Sequence, residues 1–345
     1  MENAILVGCH ELDDELRELA KSAGARIVGE LTQNRDHPDR ATFIGKGKVE
    51  ELREQAVADG ADLVIFDEEL SPSQARNLEE QLHVKVIDRT GLILDIFSRR
   101  ARTKEGKLQV ELAQLNYRLT RLAGSSDYLS RLGGGIGTRG PGETKLETDR
   151  RQLRHRISTL KKEIDQICKH RQLHRDRRRR DHMPLVSLVG YTNAGKSTLF
   201  RALSREDTLV SNRLFSTLDT LIRRIKVPGN STVLLSDTVG FIRKLPHQLV
   251  SAFRATLEEV VESDLILHVI DASDPHREDK RKVVLDVLKE IGAGDHAQLT
   301  VYNKADLLPD PSRELADGIL VSAVTGQGLE RLLEEIVLHV NPVRA

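Results

Sequence analysis

An apolar segment at 184–189 runs directly into the motif GYTNAGKS at 190–197 and then into helix-forming residues at 198–203. The spacing G-x-x-x-x-G-K-S between a strand and a helix requires a tight turn, and no other feature constrains the fold of this chain as strongly. Backbone N–H groups of such a loop converge on phosphate, and the helix N-terminus adds partial positive charge. The motif predicts a phosphate-binding loop (P-loop). A chance glycine-rich turn is the alternative, and the motif alone does not distinguish ATP from GTP.

The P-loop supplies the first candidates for nucleotide binding. We expect Lys196 to reach the β- and γ-phosphates and the Ser197 hydroxyl to bind Mg²⁺. The side-chain oxygen of Asn193 is placed to help hold K⁺ near the phosphates, and the alternative is a polar residue that bonds to its own backbone. The predicted phosphate-binding residues are Gly190, Tyr191, Thr192, Asn193, Ala194, Gly195, Lys196, Ser197 and Thr198.

A second motif, DTVG, follows the apolar segment at 232–235. An aspartate at the end of a strand can support the Mg²⁺ shell, and the N–H of Gly240 can sense the γ-phosphate because no side chain blocks its approach. The motif is weak by itself and would usually be an ordinary turn. Its predicted nucleotide-binding residues are Asp237, Thr238, Val239 and Gly240.

The motif NKAD, after a predicted strand at 298–302, selects the base. The carboxylate of Asp306 can accept two hydrogen bonds from the N1–H and N2–H₂ edge of guanine, which adenine does not offer. A further strand at 319–321 leads to residues that support the base from the other side. The predicted base-binding residues are Asn303, Lys304, Ala305, Asp306, Val321, Ser322 and Ala323.

Between the first two motifs lies FSTLD at 215–219, where a GTPase is expected to place a switch loop that the γ-phosphate orders. Thr217 is the favoured second Mg²⁺ ligand, with Thr220 as the alternative, and the predicted switch contacts are Phe215, Ser216, Thr217, Leu218 and Asp219. Lys196, Thr217 and Gly240 are the predicted catalytic residues. No glutamine follows Gly240 to orient the attacking water, since Phe241 and Ile242 stand there. We therefore expect slow intrinsic hydrolysis and a partner that completes the site.

Ahead of these motifs, the pattern predicts two further domains. Residues 1–98 alternate short strands and helices and predict an α/β domain with a small parallel sheet. In 99–182, leucines and isoleucines recur every three or four residues in two stretches, which predicts a long antiparallel helical hairpin. A glycine-rich loop at 131–143 joins its helices. The P-loop GTPase domain, with a mostly parallel sheet flanked by helices, is predicted over 183–345.

The charge of the chain is unevenly distributed. The net charge is zero, but residues 99–180 hold 23 Lys and Arg against 9 Asp and Glu. This concentration indicates a polyanionic partner, and the scarcity of aromatic residues favours phosphate contacts with folded RNA over stacking on single strands. The RNA-contact candidates are Arg131, Arg139, Lys145, Arg150 and Arg151, although each alone is more often a solvated charge.

Composition narrows the class of protein. Two cysteines outside any CxxC pair suggest neither a disulfide framework nor a zinc site, so a reducing cytoplasm is expected. No apolar run approaches the roughly 18 residues of a membrane span, and the N-terminus lacks a signal-peptide pattern. We expect a cytoplasmic monomer.

Three long motifs carry a family resemblance: TFIGKGKVEEL at 42–52, GGGIGTRGPGETKLETDRRQ at 133–152 and DTVGFIRKLPHQLVSAFRATLEEVV at 237–261. With them the chain resembles the HflX family of bacterial ribosome-associated GTPases over nearly its whole length. The resemblance implies that the N-terminal domain and hairpin dock on the large ribosomal subunit, with the glycine-rich loop toward the peptidyl transferase region. It also implies that the GTP-bound protein separates the subunits of stalled ribosomes.

The chain departs from the family pattern in two places. Residues after Asp219 read TLIR where the family commonly has Pro and Thr, and the sequence ends at Ala345 without the extra C-terminal domain of longer members.

The resulting prediction is a Mg²⁺-dependent GTPase, a hydrolase stimulated by the large ribosomal subunit, that dissociates stalled or idle ribosomes in ribosome rescue. One alternative is a GTP-gated RNA- or ribosome-binding regulator in which hydrolysis serves only release. A third possibility, an ATP-driven RNA remodeller, is disfavoured by Asp306.

Overall fold

A computed structural model describes residues 1–35, 37–132, 141–180, 183–205, 214–215, 220–229, 231–244, 254–309 and 317–340. Within these ranges the side chains of 123–132, 141–146, 170–180 and 254–256 lie outside the description. The chain forms two compact units, one of Met1–Arg99 with Lys107–Asp165 and the other of Arg100–Gly106 with Gln166–Ala345. None of the described helices combines the length and the apolar character needed to cross a membrane.

The first unit contains a four-stranded parallel sheet in the order β2-β1-β3-β4. Its strands are β1 (Asn3–Gly8), β2 (Arg26–Thr32), β3 (Leu63–Phe66) and β4 (Lys85–Asp88). Its shorter helices are α1 (Asp14–Ser22), α2 (Lys46–Ala58), α3 (Pro72–Leu82) and α4 (Arg89–Arg100). The central strands β1 and β3 are apolar and buried, as in parallel sheets covered on both faces. The predicted small parallel sheet is confirmed.

Helix α3 shows how local sequence sets an element. Ser71 is its N-cap, and the Ser71 hydroxyl accepts a hydrogen bond from the backbone N–H of Gln74 (3.2 Å). The Gln74 side chain in turn accepts one from the Ser71 N–H (2.9 Å), which completes a capping box, and Pro72 occupies the first helical position. The local sequence therefore determines where α3 begins.

Two long helices follow: α5 (Lys104–Leu132) and α6 (Pro141–Arg180). They run antiparallel, since Arg156 of α6 bonds to Glu111 of α5 (2.8 Å), whereas the earlier Arg150 bonds to the carbonyl of the later Leu122 (2.9 Å). Helix occupies 131–132 and 141–143, which we predicted as loop, because proline is favoured in the first turn of a helix and Pro141 begins α6. The rest of that loop, 133–140, lies outside the described residues.

The second unit contains a six-stranded sheet in the order β10-β9-β8-β5-β7-β6, parallel except for β6. Its strands are β5 (Leu185–Gly190), β6 (Leu221–Val227), β7 (Ser231–Asp237), β8 (Leu265–Asp271), β9 (Gln298–Asn303) and β10 (Ile319–Leu320). Its helices are α7 (Lys196–Ser204), α8 (Arg254–Val261), α9 (Arg277–Glu290), α10 (Leu329–Val340) and a 3₁₀ turn at Ala305–Leu307. The chain reverses its direction of winding beside β5, so the carboxyl ends of the strands there form the place where α/β sheets bind ligands.

A buried ionic cluster supports the first unit where β4 meets α4. The side chain of Arg89 is 2% exposed and pairs with Asp67 (2.5 Å) and with Glu15. The neighbouring carboxylate of Asp88 is fully buried and accepts hydrogen bonds from the hydroxyl of Tyr117 (2.8 Å) and the guanidinium of Arg121 (3.1 Å). These last two bonds fix α5 to the end of β4.

Arg89→Met should lower the free energy of unfolding by about 3–5 kcal/mol, because it leaves two buried carboxylates without their cation. Urea denaturation of the full chain measures the change. Lys21→Met removes the exposed partner of Glu18 and should lower the free energy of unfolding by less than about 1 kcal/mol. Equal effects of the two variants would contradict a structural role for the buried cluster.

Candidate GTP site

The predicted motifs meet at the carboxyl edge of the six-stranded sheet. The P-loop follows β5, the DTVG motif begins at the end of β7, and the NKAD motif begins at the end of β9. The pairing of β5 with β7 brings Leu188 opposite Asp237, and the pairing with β8 brings Gly190 opposite Val269. Strand order therefore places together groups that lie more than a hundred residues apart in the sequence.

The P-loop is closely enclosed by its neighbours. A Cβ atom on Gly190 would come within 2.2 Å of the carbonyl oxygen of Val269, so only glycine fits at the end of β5. Gly195 has a φ of +89°, and a Cβ there would come within 2.2 Å of the Asn303 Nδ2 atom. Asn193 is exposed and also adopts a left-handed conformation, with φ of 62°. These conformations turn the chain from the strand into α7 within five residues.

Lys196 lies at the first position of α7 and is buried. Its Nζ donates to the carbonyls of Gly190 (2.9 Å) and Tyr191 (2.7 Å). Burial lowers the pKa of Lys196 to about 8, while the charge of Asp237 acts in the opposite direction. The two carbonyls carry only partial negative charge, so they neutralise the positive charge of the ammonium only in part. The ammonium is therefore suited to bind phosphate.

The DTVG motif packs against the P-loop. The hydroxyl of Thr238 donates to the carbonyl of Leu188 (2.6 Å), and Asp237 and Val239 are buried. Phe241 and Ile242 are each only 1% exposed. Buried core residues therefore occupy the positions after Gly240 where many GTPases have a glutamine that orients water. The two residues that the structure describes directly after Gly240 therefore carry no polar side chain that could orient an attacking water.

Asn303 links three parts of the site. Its Nδ2 donates to the carbonyl of Ala194 in the P-loop (3.0 Å), and its Oδ1 accepts from the N–H of Ala323 (3.1 Å). Asp306 accepts a hydrogen bond from the hydroxyl of Ser322 (2.5 Å), which fixes one carboxylate oxygen. Lys304 pairs with Asp271 at the end of β8 (2.6 Å). The buried backbone of Val321 joins the same cluster, because the N–H of Ala305 donates to its carbonyl (3.1 Å).

Several predicted residues lie outside this geometry. Ser216, Thr217, Leu218 and Asp219 are outside the described residues, as is Arg139, and the side chains of Arg131 and Lys145 are not described. Phe215 is buried, with φ of 55°. The predicted roles of these residues stay predictions.

Sequence motifs do not reveal every group at the site. The Tyr191 hydroxyl accepts a hydrogen bond from the backbone N–H of Arg243 (2.8 Å). Lys304 forms an ion pair with Asp271. The buried His268 of β8 and the P-loop residue Thr192 both line a cavity of about 50 Å³. A hydrogen bond from a backbone N–H does not depend on the type of the donor residue. The sequence therefore cannot indicate such a bond, and only the structure identifies it.

Comparison with known proteins covers nearly the whole chain. The family models that match are "GTP-binding GTPase N-terminal" at residues 10–98, "GTP-binding GTPase Middle Region" at 100–178 and "50S ribosome-binding GTPase" at 185–304. A GTPase HflX of Caldanaerobacter subterraneus subsp. tengcongensis is 54% identical, over 97% of this chain and 80% of that protein. The GTPase HflX of Escherichia coli is 46% identical, over 97% and 82% respectively.

Solved structures share the fold. A GTP-binding protein from the archaeon Sulfolobus solfataricus in complex with GDP matches with a TM-score of 0.50 and 25% identity, over 99% of this chain and 100% of that one. A second structure, of an SsGBP and GDP complex, gives a TM-score of 0.53 at 24% identity over 100% of both chains.

Asp306→Asn should weaken GDP binding by about 100-fold, because two charge-assisted hydrogen bonds to guanine would be lost. The amide can donate to the additional carbonyl of xanthine, so affinity for xanthosine diphosphate should rise. Competition against a fluorescent guanine nucleotide measures both changes. An unaltered preference for guanine over adenine and xanthine would show that Asp306 does not read the base.

His268 should make stability depend on pH. Burial lowers the pKa of His268 to about 4, with Arg281 and Lys196 adding to the effect. The unfolded chain takes up a proton near pH 6.5, so stability is complete above that pH and is lost as the pH falls toward 4. Between pH 7 and pH 5 this group should remove about 2 kcal/mol from the free energy of unfolding.

Urea denaturation at the two pH values, with His268→Gln for comparison, isolates this contribution. The variant should lose about 2 kcal/mol less than the natural protein over the same interval. Identical pH dependence in both proteins would show that His268 does not titrate differently on folding.

Proposed function

The chain belongs to the HflX family of GTPases, and on that premise we propose that it is a Mg²⁺-dependent GTPase that acts on the large ribosomal subunit. It docks through the N-terminal unit and the paired helices α5 and α6, and the ribosome stimulates hydrolysis. The GTP-bound protein then separates the subunits of stalled or idle ribosomes. In this proposal it is a cytoplasmic protein, partly bound to ribosomes.

The basic side chains of α6 are the main support for the proposal. Some of them bond within the protein, and others are exposed without an ion pair to a described residue. Arg156 is used internally, bonding to Glu111 (2.8 Å), and the half-buried Arg150 bonds to the carbonyl of Leu122 (2.9 Å). Within 151–165, four others are exposed and make no ion pair with a described residue: Arg151, Arg154, Lys161 and Lys162. The spacing of these four puts them on one face of the helix. We infer that this face contacts ribosomal RNA through its phosphates.

The GTP site supports the proposed stimulation by a partner. The position after Gly240 is filled by the buried side chain of Phe241, so no water-orienting group stands there. A group supplied from outside would then complete the site, as GTPases with an incomplete catalytic set receive one in trans. The match of 185–304 to the model described as a 50S ribosome-binding GTPase supports the large subunit as that partner.

Oxygen donors at the site suit Mg²⁺. Ser197 stands at the start of α7, and the carboxylate of Asp237 lies at the end of β7, close enough to Lys196 for its charge to oppose the lowering of the Lys196 pKa by burial. Hydroxyl and carboxylate oxygens are the ligands Mg²⁺ prefers, together with phosphate oxygens and water. We propose that Ser197 and Thr217 hold Mg²⁺, with Asp237 behind them. When bound, the ion neutralises charge on the phosphates.

A monovalent cation is a further part of the proposal. Asn193 is exposed and stands in a left-handed turn of the P-loop. We propose that its side-chain oxygen binds K⁺ beside the phosphates. Hydrolysis should then be faster in KCl than in NaCl at equal ionic strength. Equal rates of hydrolysis in the two salts would contradict a role for K⁺ at the site.

GTP turnover with and without purified large subunits tests the proposed function. We expect at least tenfold stimulation by large subunits and little by small subunits; no stimulation would contradict the ribosomal assignment. Subunit separation with GTP and with a non-hydrolysable analogue then tests the role of chemistry. Equal separation with both would favour the alternative, a GTP-gated binder in which hydrolysis serves release.

The exposed cation face makes a quantitative prediction. Replacing Arg151, Arg154, Lys161 and Lys162 together by alanine should reduce the slope of log K against log salt concentration by roughly 3, since each phosphate contact contributes about 0.7–0.9. Sedimentation with large subunits at several salt concentrations measures the slope. Alanine at four exposed cations of the GTPase unit, Lys226, Lys282, Lys289 and Arg331, is the charge-matched control. Equal losses of slope in the two variants would contradict a specific RNA-contact face.

A further inference from the structure

Tyr191, the second residue of the P-loop, connects three elements through one side chain. Its hydroxyl accepts a hydrogen bond from the backbone N–H of Arg243 (2.8 Å). Its ring faces the ammonium of Lys280 on α9, with the Nζ 5.1 Å from the ring centroid. Lys280 is itself paired with Asp274 (2.5 Å), and the ring is therefore held by a fixed cation.

The backbone beside Tyr191 pairs with the same segment. The N–H of Thr192 donates to the carbonyl of Phe241 (2.7 Å), and the N–H of Phe241 donates to the carbonyl of Gly190 (3.2 Å). With the Tyr191 hydroxyl, three hydrogen bonds join residues 190–192 to residues 241–243. We call this set of three hydrogen bonds the P-loop pairing.

The pairing places Gly240 against the groups that receive phosphate. A Cβ atom on Gly240 would come within 3.0 Å of the Lys196 Nζ and 2.9 Å of the Thr192 Cα. The N–H of Thr192, one of the donors of the P-loop, is already used by the carbonyl of Phe241. The terminal phosphate of GTP must enter beside the Lys196 ammonium. The paired segment and that phosphate therefore compete for the same space.

We propose that the Tyr191 hydroxyl is a positioning group that holds residues 240–243 against the P-loop and so lowers the affinity for GTP relative to GDP. GDP lacks the terminal phosphate and leaves the pairing intact. GTP binds the arrangement in which the pairing is broken, and its apparent affinity is reduced by the fraction of molecules in that arrangement. An ion pair between Arg243 and Asp279 (3.7 Å) also links the segment to α9.

Tyr191→Phe tests the proposal, because it keeps the ring and its contact with Lys280 but removes the acceptor. Loss of one such hydrogen bond should lower the dissociation constant of a non-hydrolysable GTP analogue by about 2- to 10-fold. The dissociation constant of GDP should stay within about twofold, because the P-loop binds phosphate through its backbone N–H groups and the substitution removes only a side-chain hydroxyl. Competition against a fluorescent nucleotide, with the full chain in Mg²⁺ and without ribosomes, measures both constants.

Tyr302→Phe is the matched control, since it removes a hydroxyl that donates to Asp317 (2.8 Å) in the same unit. It should leave the ratio of the two constants unchanged. An unchanged or lowered affinity of Tyr191→Phe for the GTP analogue, or an equal gain for GDP, would overturn the proposal. These measurements contain no ribosomes, so their failure would leave the ribosomal proposal intact.

Discussion

The buried amide of Asn303 is the contact on which the rest of the GTP site depends. Its donor side holds the carbonyl of Ala194 (3.0 Å) and its acceptor side holds the N–H of Ala323 (3.1 Å), while the residue is only 2% exposed. Gly195 is required because a side chain there would collide with the same amide. Since a buried polar group without its partner costs about 1–3 kcal/mol, losing this amide would release the P-loop and the base-binding segment together. The loop predicted to bind phosphate and the segment predicted to bind the base thus share one support.

The two units use the carboxyl edge of a parallel sheet in different ways. In the first unit, Asp88 accepts hydrogen bonds from Tyr117 and Arg121, and Arg89 pairs with Asp67 and Glu15. The polar groups there satisfy one another and fix helices to the sheet. In the second unit, the Lys196 ammonium donates to two backbone carbonyls, and burial lowers its pKa to about 8. A buried ammonium whose described hydrogen bonds go to uncharged carbonyls is suited to bind an anion such as phosphate.

The sequence predicted those features of the structure that require particular residue types at fixed spacings. The P-loop, DTVG and NKAD motifs could be placed at strand ends, and the leucine spacing identified the paired helices, because each requires particular residues at fixed spacings. Helix α4 was not predicted, because its N-cap, Asp88, is also the last residue of β4 and no loop separates the two elements; the Asp88 carboxylate accepts a hydrogen bond from the N–H of Gly91 (2.8 Å). The bond from Arg243 to Tyr191 uses a backbone N–H that every residue except proline carries. The roles of individual site residues remain predictions.

The central claim is that Asn303 supports the phosphate-binding loop from the base-binding side. Amide hydrogen exchange of the nucleotide-free full chain tests it most directly in Asn303→Ala against the natural protein. The account predicts faster exchange at residues 193–197 and at 321–323, with exchange in the buried strand β8 unchanged. Unchanged exchange at 193–197 would show that the P-loop holds its shape without this amide and would contradict the account.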